Sequence, residues 1–267
     1  MSHLTMKDLR AAEVPPGAIM IWWIGQASFL FKSPAGALIA ADPYLSNSCQ
    51  AAAMEAGWDC DRLVPVPIKP QELVGVDSYV LTHSHDDHLD PETLQPYRQA
   101  GGTGPYVAPA ETAEALKSFG IPEDQIVMTW PNKEFTVKDV TLRATFAIPF
   151  CGDDLTHVGY LIRVQDGPTV YITGDTAYED ILPASVKEHN PQVMIAVING
   201  LWRNLSAAEA AKLAKEINPE VVIPCHYDMF RSNLTSPERL RSALHILGIR
   251  NKYRVLEYAK PYTFPET

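Results

Sequence analysis

Short apolar runs bounded by turn residues recur along the chain. The stretches "AIMIWWIG" (18–25), "SFLFKS" (28–33) and "ALIAADPYL" (37–45) are of this kind. Runs of four to eight apolar residues with β-branched and aromatic members are typical of buried strands. Further along, "SAAEAAKLAKEIN" (206–218) has helical periodicity and begins with a serine suited to the N-cap. The pattern predicts strands first and helices mixed with strands later.

Both halves of the chain contain predicted strands and predicted helices. The stretch "VGYLIRVQDGPTVYITGD" (158–175) predicts a hairpin with an Asp-Gly turn. Segment 47–70 contains three prolines and predicts a long loop, with one helical turn around "QAAAMEAG". A sandwich of two sheets with helices outside fits this order better than a single wound sheet. We expect one domain spanning 1–267.

Composition and charge narrow the class of protein. The chain has 267 residues, 46% of them apolar, and a formal net charge of −10. An acidic balance argues against nucleic acid as a partner. No apolar run approaches the roughly 18 residues of a membrane span, and the first 20 residues lack the apolar core of a secretory signal. We therefore expect a cytoplasmic protein without a membrane partner, whose cysteines are free thiols.

The stretch "THSHDDHLD" (82–90) contains three histidines and three aspartates in nine positions. His83 and His85 are two residues apart, so in an extended chain both point to the same side. Asp87 and His88 follow in the turn. A solvated loop that is histidine-rich by chance is the alternative, but the chain has only eight histidines. Imidazole and carboxylate together suit zinc, manganese, iron or cobalt.

Two further candidate ligands follow apolar runs far along the chain. Asp175 comes directly after "YITG", and His226 ends "VVIPCH". Taken alone, each is as readily a turn aspartate or a half-buried histidine. Together with the histidine cluster, both become candidates for the same metal site.

These residues carry a resemblance to a known family. Asp42 in "AADPYL", the "HSHDDH" motif, Asp175 in "TGDT" and His226 resemble, in order and spacing, the metallo-β-lactamase superfamily. Within it, "IWWIGQASFLFKS" and "EVVIPCHYDMFRSN" are similar to the L-ascorbate-6-phosphate lactonase group of metal-dependent hydrolases.

The resemblance implies an α/β fold, a four-layer αββα sandwich with its metal centre at one edge between the sheets. It implies two divalent ions, manganese or zinc. The implied roles are His83 and His85 on the first ion; Asp87, His88 and His226 on the second; Asp175 bridging both; and Asp42 orienting a histidine of the motif.

One departure concerns the first site. The superfamily usually supplies another histidine shortly before the strand that begins here with "VGYLIRV", where this chain reads "CGDDLTHVGY". We expect Asp153 or Asp154 to complete the site and keep His157 as the alternative. A carboxylate at this position would favour manganese over zinc.

The implied chemistry is hydrolysis by a hydroxide held between the two ions. Asp87 would orient this hydroxide or take up its proton. His157 and Tyr227 are the candidates for protonating the leaving oxygen.

An anionic substrate needs donors outside the metal centre. Arg203, Arg231 and Asn233 lie on loops that follow predicted strand ends and are the candidates, although arginines at such positions are more often ordinary surface residues. Trp58 and Trp202 are candidates for an apolar wall, although a packing role is commoner for tryptophan.

Three functions compete. The leading expectation is a lactonase acting on a small phosphorylated sugar lactone such as L-ascorbate 6-phosphate. A phosphodiesterase for cyclic nucleotides or other small diesters is the alternative. A non-catalytic scaffold is the third, which metal titration would distinguish. The helix at 206–217 is expected to pack on its own sheet, with assembly of identical subunits as the alternative.

Overall fold

The computed structural model describes residues 3–149 and 155–266. In this part of the chain the strands form two sheets. The first sheet contains β1 (Ile19–Trp23), β2 (Phe29–Lys32), β3 (Leu38–Ala41), β4 (Ser78–Val80), β5 (Tyr106–Ala108), β6 (Ile126–Met128) and β13 (Pro261–Phe264). The second contains β7 (Glu134–Val137), β8 (Val140–Phe146), β9 (Val158–Val164), β10 (Thr169–Ile172), β11 (Val193–Val197) and β12 (Val221–Cys225).

The described part of the chain also contains α-helices. They are α1 (Met6–Ala11), α2 (Cys49–Glu55), α3 (Pro91–Gln99), α4 (Ala110–Ser118), α5 (Ile181–Val186), α6 (Ala207–Ile217) and α7 (Glu238–Ile246). The predicted serine cap of α6 is present, because the Ser206 side chain accepts from Glu209 N and the Glu209 carboxylate accepts from Ser206 N. Within the described residues, no helix combines the length and apolar character needed to cross a bilayer.

In each sheet, the strands of one half are parallel and those of the other half are antiparallel. The first sheet runs β13-β1-β2-β3-β4-β5-β6, and β3 to β6 are parallel neighbours. The second runs β12-β11-β10-β9-β8-β7, with β10, β11 and β12 parallel. The predicted hairpin at 158–175 is confirmed, since β9 and β10 pair in antiparallel register.

Alternation along β1 shows how the layers form. Ile21 and Trp23 belong to the core shared with the second sheet, whereas Met20 and Trp22 pack in a separate core with residues of α1, α3 and α4. Successive strand residues point to opposite faces, so a strand buried on both faces is apolar throughout. Helices α5, α6 and α7 cover the outer face of the second sheet. The predicted four-layer αββα sandwich is confirmed.

The segment predicted as a long loop is partly helical. Helix α2 is longer than the single turn expected around residues 50–57. From Ala56 to Lys69 there is neither helix nor strand beyond a bridge between Arg62 and Phe230. Cys49, Cys60 and Cys225 are free thiols, as predicted, and Cys151 lies outside the described residues.

Candidate metal centre

Four chain segments meet at one edge of the two sheets. The motif 83–88 follows β4, Asp175 follows β10 and His226 follows β12. Parallel strands end at the same edge of a sheet, which places the last two side chains together. His157 directly precedes β9, which is antiparallel to β10, so it lies at this edge too. The topology thus gathers side chains that are distant in sequence.

The candidate ligands form three overlapping groups, and within each group the ligand atoms lie within 4.8 Å of one another. The groups are His83, His85 and His157; His83, His88 and Asp175; and Asp87, His88 and His226. Because His83 and His88 each belong to two groups, the side chains form one continuous cluster.

His157 contributes to the group that contains His83 and His85. Its ring centroid is 4.0 Å from that of His83, and its side chain is buried. Nδ1 donates to the carbonyl oxygen of Asp175 at 3.1 Å, so Nε2 is the nitrogen with an electron pair for a ligand bond. Asp153 and Asp154, the expected residues for this position, lie outside the described residues.

Two buried polar atoms test whether the cluster suits a cation. His88 Nε2 and Asp175 Oδ1 face each other at 3.4 Å, and both atoms are buried without a hydrogen-bond partner among the described residues. Buried polar atoms are normally paired, because leaving one unpaired is costly. A divalent cation would satisfy both atoms, and a donor set of imidazoles and carboxylates suits such an ion.

The charges of the cluster also fit a cation. Burial alone would raise the pKa of Asp87, but His88 and His226 lower it well below the ordinary value. Burial likewise opposes the shift at Asp175, where His226 and His88 lower the pKa. Burial and neighbouring histidines lower the pKa of His83 well below its ordinary range. At neutral pH the carboxylates are therefore ionised and His83 is neutral, which are the forms that coordinate metals. Against the effect of burial, the carboxylates raise the pKa values of His88 and His226, so these two imidazoles would release protons when a cation binds.

Asp42, at the end of β3, fixes the orientation of His88. One carboxylate oxygen accepts from Thr82 N at 2.8 Å, and the other accepts from Thr82 Oγ1 at 2.6 Å and from His88 Nδ1 at 2.9 Å. Asp42 is buried and has a φ of +43°, in the left-handed region that aspartate tolerates better than most residues. With Nδ1 donating to Asp42, Nε2 of His88 points into the cluster.

Gln26 is a residue of the site that the sequence reasoning missed. It lies in the turn between β1 and β2, is fully buried, and its Nε2 donates to Asp87 Oδ2 at 2.7 Å. The same Nε2 is 3.0 Å from His226 Nε2, and His226 N donates to the backbone oxygen of Gln26 at 3.0 Å. A single amide inside the apolar stretch "AIMIWWIGQASFLF" was the available signal.

Two asparagines contact candidate ligands through their side-chain amides. Asn204, also missed, donates from Nδ2 to Asp175 Oδ2 at 2.6 Å. Asn233 was predicted to bind substrate, but it is buried, and its Nδ2 lies 2.9 Å from His226 Nδ1. The structure thus places Asn233 inside the protein, against a candidate ligand.

Replacing Gln26 with alanine is expected to weaken metal binding about tenfold, because Asp87 loses the donor that orients it. Gln26→Glu should weaken it further, since a carboxylate in that position would repel Asp87. Calorimetric titration of metal into wild type and both variants measures these affinities. Equal affinity in wild type and Gln26→Ala would show that Asp87 needs no such support.

Three other predicted residues lie outside the cluster. Tyr227 stacks on Trp23 in the core at a centroid distance of 5.1 Å, and burial raises the pKa of its hydroxyl. The structure therefore does not place it as a proton donor. Arg231 is exposed and pairs with Asp59 at 3.5 Å, and Arg203 is exposed on the turn before Asn204.

Residues 43–227 match the family model described as "Beta-lactamase superfamily domain". The chain belongs to the metallo-β-lactamase superfamily, as a metal-dependent hydrolase. It is 22% identical to the "Probable L-ascorbate-6-phosphate lactonase UlaG" of Escherichia fergusonii, over 92% of this chain and 80% of the relative. The protein of the same name from Salmonella heidelberg matches with the same identity and coverage.

Solved structures share the fold. Igni18, a metallo hydrolase from Ignicoccus hospitalis, superposes with a TM-score of 0.72 at 22% identity, covering 94% of this chain and all of its own. An isothiocyanate hydrolase from Delia radicum gut bacteria gives a TM-score of 0.72 at 19% identity, covering 91% of this chain and 98% of its own. These likenesses establish the architecture.

Proposed function

We propose that this hydrolase uses two divalent cations, manganese or zinc, to open a small anionic lactone, such as a phosphorylated sugar lactone of the L-ascorbate 6-phosphate type. The observation that carries the proposal is Asp175, which forms a ligand group with His83, a candidate for one ion, and whose Oδ2 lies 3.4 Å from Nε2 of His226, a candidate for the other. A carboxylate between two groups of ligands suits a pair of ions. The name of the matched lactonases supports the substrate class.

The first ion would be held by His83, His85 and His157, with Asp153 and Asp154 as further candidates. The second would be held by Asp87, His88 and His226, with Asp175 shared. Such ions, when bound, lower the pKa of water towards about 7 and stabilise negative charge on oxygen.

The side chains of the cluster supply orientation. Asp87 is ionised at neutral pH because its pKa is lowered well below the ordinary value, so it orients the attacking water by accepting a hydrogen bond. Gln26 fixes the carboxylate that does so. His157, in the group with His83 and His85, serves as a ligand and not as the proton donor.

Arg203 is the candidate for binding the anionic group of the substrate. It is exposed, and its turn is tied to the cluster by the bond from Asn204 to Asp175. Arg231 is less suited, because its guanidinium already pairs with Asp59. A guanidinium presents several donors in a fixed geometry that matches phosphate and carboxylate groups.

The test is ring opening of L-ascorbate 6-phosphate by manganese-loaded protein, measured as acid release. Asp87→Ala should lower turnover at least about 100-fold, because one ligand and the orientation of the water are lost together. Asp86→Ala is the matched control. Asp86 is the neighbouring, exposed aspartate outside the three ligand groups, so its variant should keep most of the activity.

Absence of turnover in protein shown to hold two metal equivalents would reject the lactone. The same preparation is then assayed with bis(p-nitrophenyl) phosphate. Turnover of that diester, lost in Asp87→Ala, would assign the centre to phosphodiester hydrolysis instead.

A further inference from the structure

Two exposed tryptophans contact each other on loops near the candidate metal centre. The ring centroids of Trp58 and Trp202 are 5.4 Å apart with an interplanar angle of 62°. Their exposed fractions are 43% and 42%, whereas Trp22 and Trp23 are buried in the core. Exposed apolar side chains that contact each other are typical of surfaces that bind a ligand or a partner.

Trp202 is tied to the cluster by its own turn. Asn204, two residues further on, donates to Leu201 O at 2.8 Å to close the turn, and its side chain donates to Asp175 Oδ2 at 2.6 Å. The next residue, Leu205, donates its N–H to Thr176 O at 2.9 Å. The ring of Trp202 therefore lies on a turn anchored directly to a candidate metal ligand.

Trp58 is tied to the cluster through a second segment. Its neighbour Asp59 exchanges two hydrogen bonds with Ser232: Asp59 N donates to Ser232 Oγ at 2.7 Å, and Ser232 N donates to Asp59 O at 3.0 Å. The residue after Ser232 is Asn233, which contacts His226. The two rings thus approach each other from loops that are anchored to two different ligands.

The backbone at Trp202 is strained. Trp202 and Arg203 have φ values of +49° and +59°, two successive non-glycine residues in the left-handed region. Side chains with a Cβ adopt this region at a steric cost, and such residues cluster at ligand clamps and active sites. The strained turn keeps the ring of Trp202 at the surface against Trp58.

Other exposed apolar side chains occur on the same segments of the chain. Twelve large hydrophobic side chains are exposed in the described part of the chain. Half of them lie on the three segments 49–63, 201–203 and 231–234, namely Met54, Trp58, Leu63, Leu201, Trp202 and Leu234. The exposed apolar side chains are thus concentrated on the segments that carry the two tryptophans and on the segment bonded to Asp59.

We propose that Trp58 and Trp202 form a recognition subsite for a flat apolar part of the substrate, an arene fused to or adjoining the bond that is cleaved. This inference rests on the proposed hydrolysis of an anionic lactone and names a lactone that carries an arene, in place of a sugar, as the substrate class. Tryptophan rings bind flat apolar groups through stacking and burial of apolar surface. The exposed Arg203, next to Trp202, adds a cation for an anionic group on the same molecule.

The first test compares dihydrocoumarin with δ-valerolactone, two six-membered lactones that differ by a fused benzene ring. The measured quantity is kcat/KM for dihydrocoumarin divided by kcat/KM for δ-valerolactone. The two lactones differ in intrinsic reactivity, but this difference is the same for every variant and cancels when the ratios of two variants are compared. In Trp58→Ala/Trp202→Ala this ratio should fall about tenfold, through KM of dihydrocoumarin. The ratio should stay within about twofold of wild type in Trp58→Phe/Trp202→Phe, which keeps aromatic rings and guards against misfolding.

Trp130→Ala is the matched control. Trp130 is 53% exposed, but it follows the edge strand β6 and lies beneath the Lys133 ammonium group at 5.1 Å. Its loss should leave the ratio unchanged. A fall equal to that of the double variant would overturn the subsite.

Binding of the ring-opened acid, 3-(2-hydroxyphenyl)propanoate, separates the subsite from the reaction. If neither lactone is opened but metal-loaded wild type binds this acid about tenfold more tightly than Trp58→Ala/Trp202→Ala, the subsite stands and lactone hydrolysis fails. If wild type and Trp58→Ala/Trp202→Ala have equal ratios and bind the acid equally tightly, the subsite is overturned. Unchanged ratios with a dimer that dissociates in the double variant, measured by sedimentation, would make the pair an interface between two copies.

Discussion

Asp175→Ala is expected to bind one metal equivalent fewer than wild type and to lose about 100-fold to 1000-fold in turnover. Asp175 groups with His83 of the first proposed position, its Oδ2 lies 3.4 Å from Nε2 of His226 in the second, and its Oδ1 is buried without a partner among the described residues. Asn204 holds its other oxygen in place. Removing the carboxylate takes a shared ligand and a negative charge from the cluster, so the two positions can no longer be filled together.

Metal content after dialysis, measured by mass spectrometry beside kcat, checks this result. Asp180→Ala is the control, because Asp180 is an exposed aspartate close in sequence that makes no side-chain cap to α5. It should retain the full metal content and turnover. Two equivalents bound in Asp175→Ala, with wild-type turnover, would remove Asp175 from the centre.

Asp42→Ala should destabilise the protein by about 3–5 kcal/mol and weaken metal binding about 10-fold to 100-fold. The carboxylate accepts hydrogen bonds from Thr82 N, Thr82 Oγ1 and His88 Nδ1, all in a buried environment. Alanine leaves these donors unpaired and removes the group that aims His88. The left-handed backbone at this position adds a steric cost for alanine.

Urea unfolding in chelator and again in manganese separates the two effects. The loss in chelator measures the broken hydrogen bonds, and the additional loss in manganese measures the weakened metal binding. Asp42→Asn, which tolerates the same backbone, should lose less stability in chelator. An unfolding free energy of Asp42→Ala within about 0.5 kcal/mol of wild type would show that these contacts do not stabilise the fold.

The positions of the strong candidates were accessible from local pattern. Asp175 and His226 each follow an apolar run, and strand ends of a layered α/β protein meet at one edge. Asp42 came from the resemblance to the family. The spacing of the histidine motif indicated a metal site without further context. The order of the elements favoured a sandwich of two sheets with helices outside. The resemblance to a family specified the αββα arrangement, because the pattern alone does not fix the order of the strands within each sheet.

The supporting contacts were not accessible, because they join residues distant in sequence. Gln26 and Asp87 are 61 positions apart, and Asn204 and Asp175 are 29 apart. No local pattern connects such pairs.

Tyr227 illustrates a different limit. It adjoins His226, but neighbouring side chains need not enter the same surroundings. His226, with a φ of +60°, contacts the cluster, whereas Tyr227 packs against Trp23. Nearness in sequence to a ligand therefore did not make it part of the site.

The candidate ligands come from both sheets, with the motif 83–88 following β4 of the first and Asp175 and His226 following strands of the second. Neither sheet alone holds a complete set. Cation binding is consequently linked to the packing of one sheet on the other. The free energy of cation binding therefore stabilises the contact between the two sheets. Loss of the cation would then destabilise the contact between the sheets at this edge before it affects the pairing of strands within either sheet.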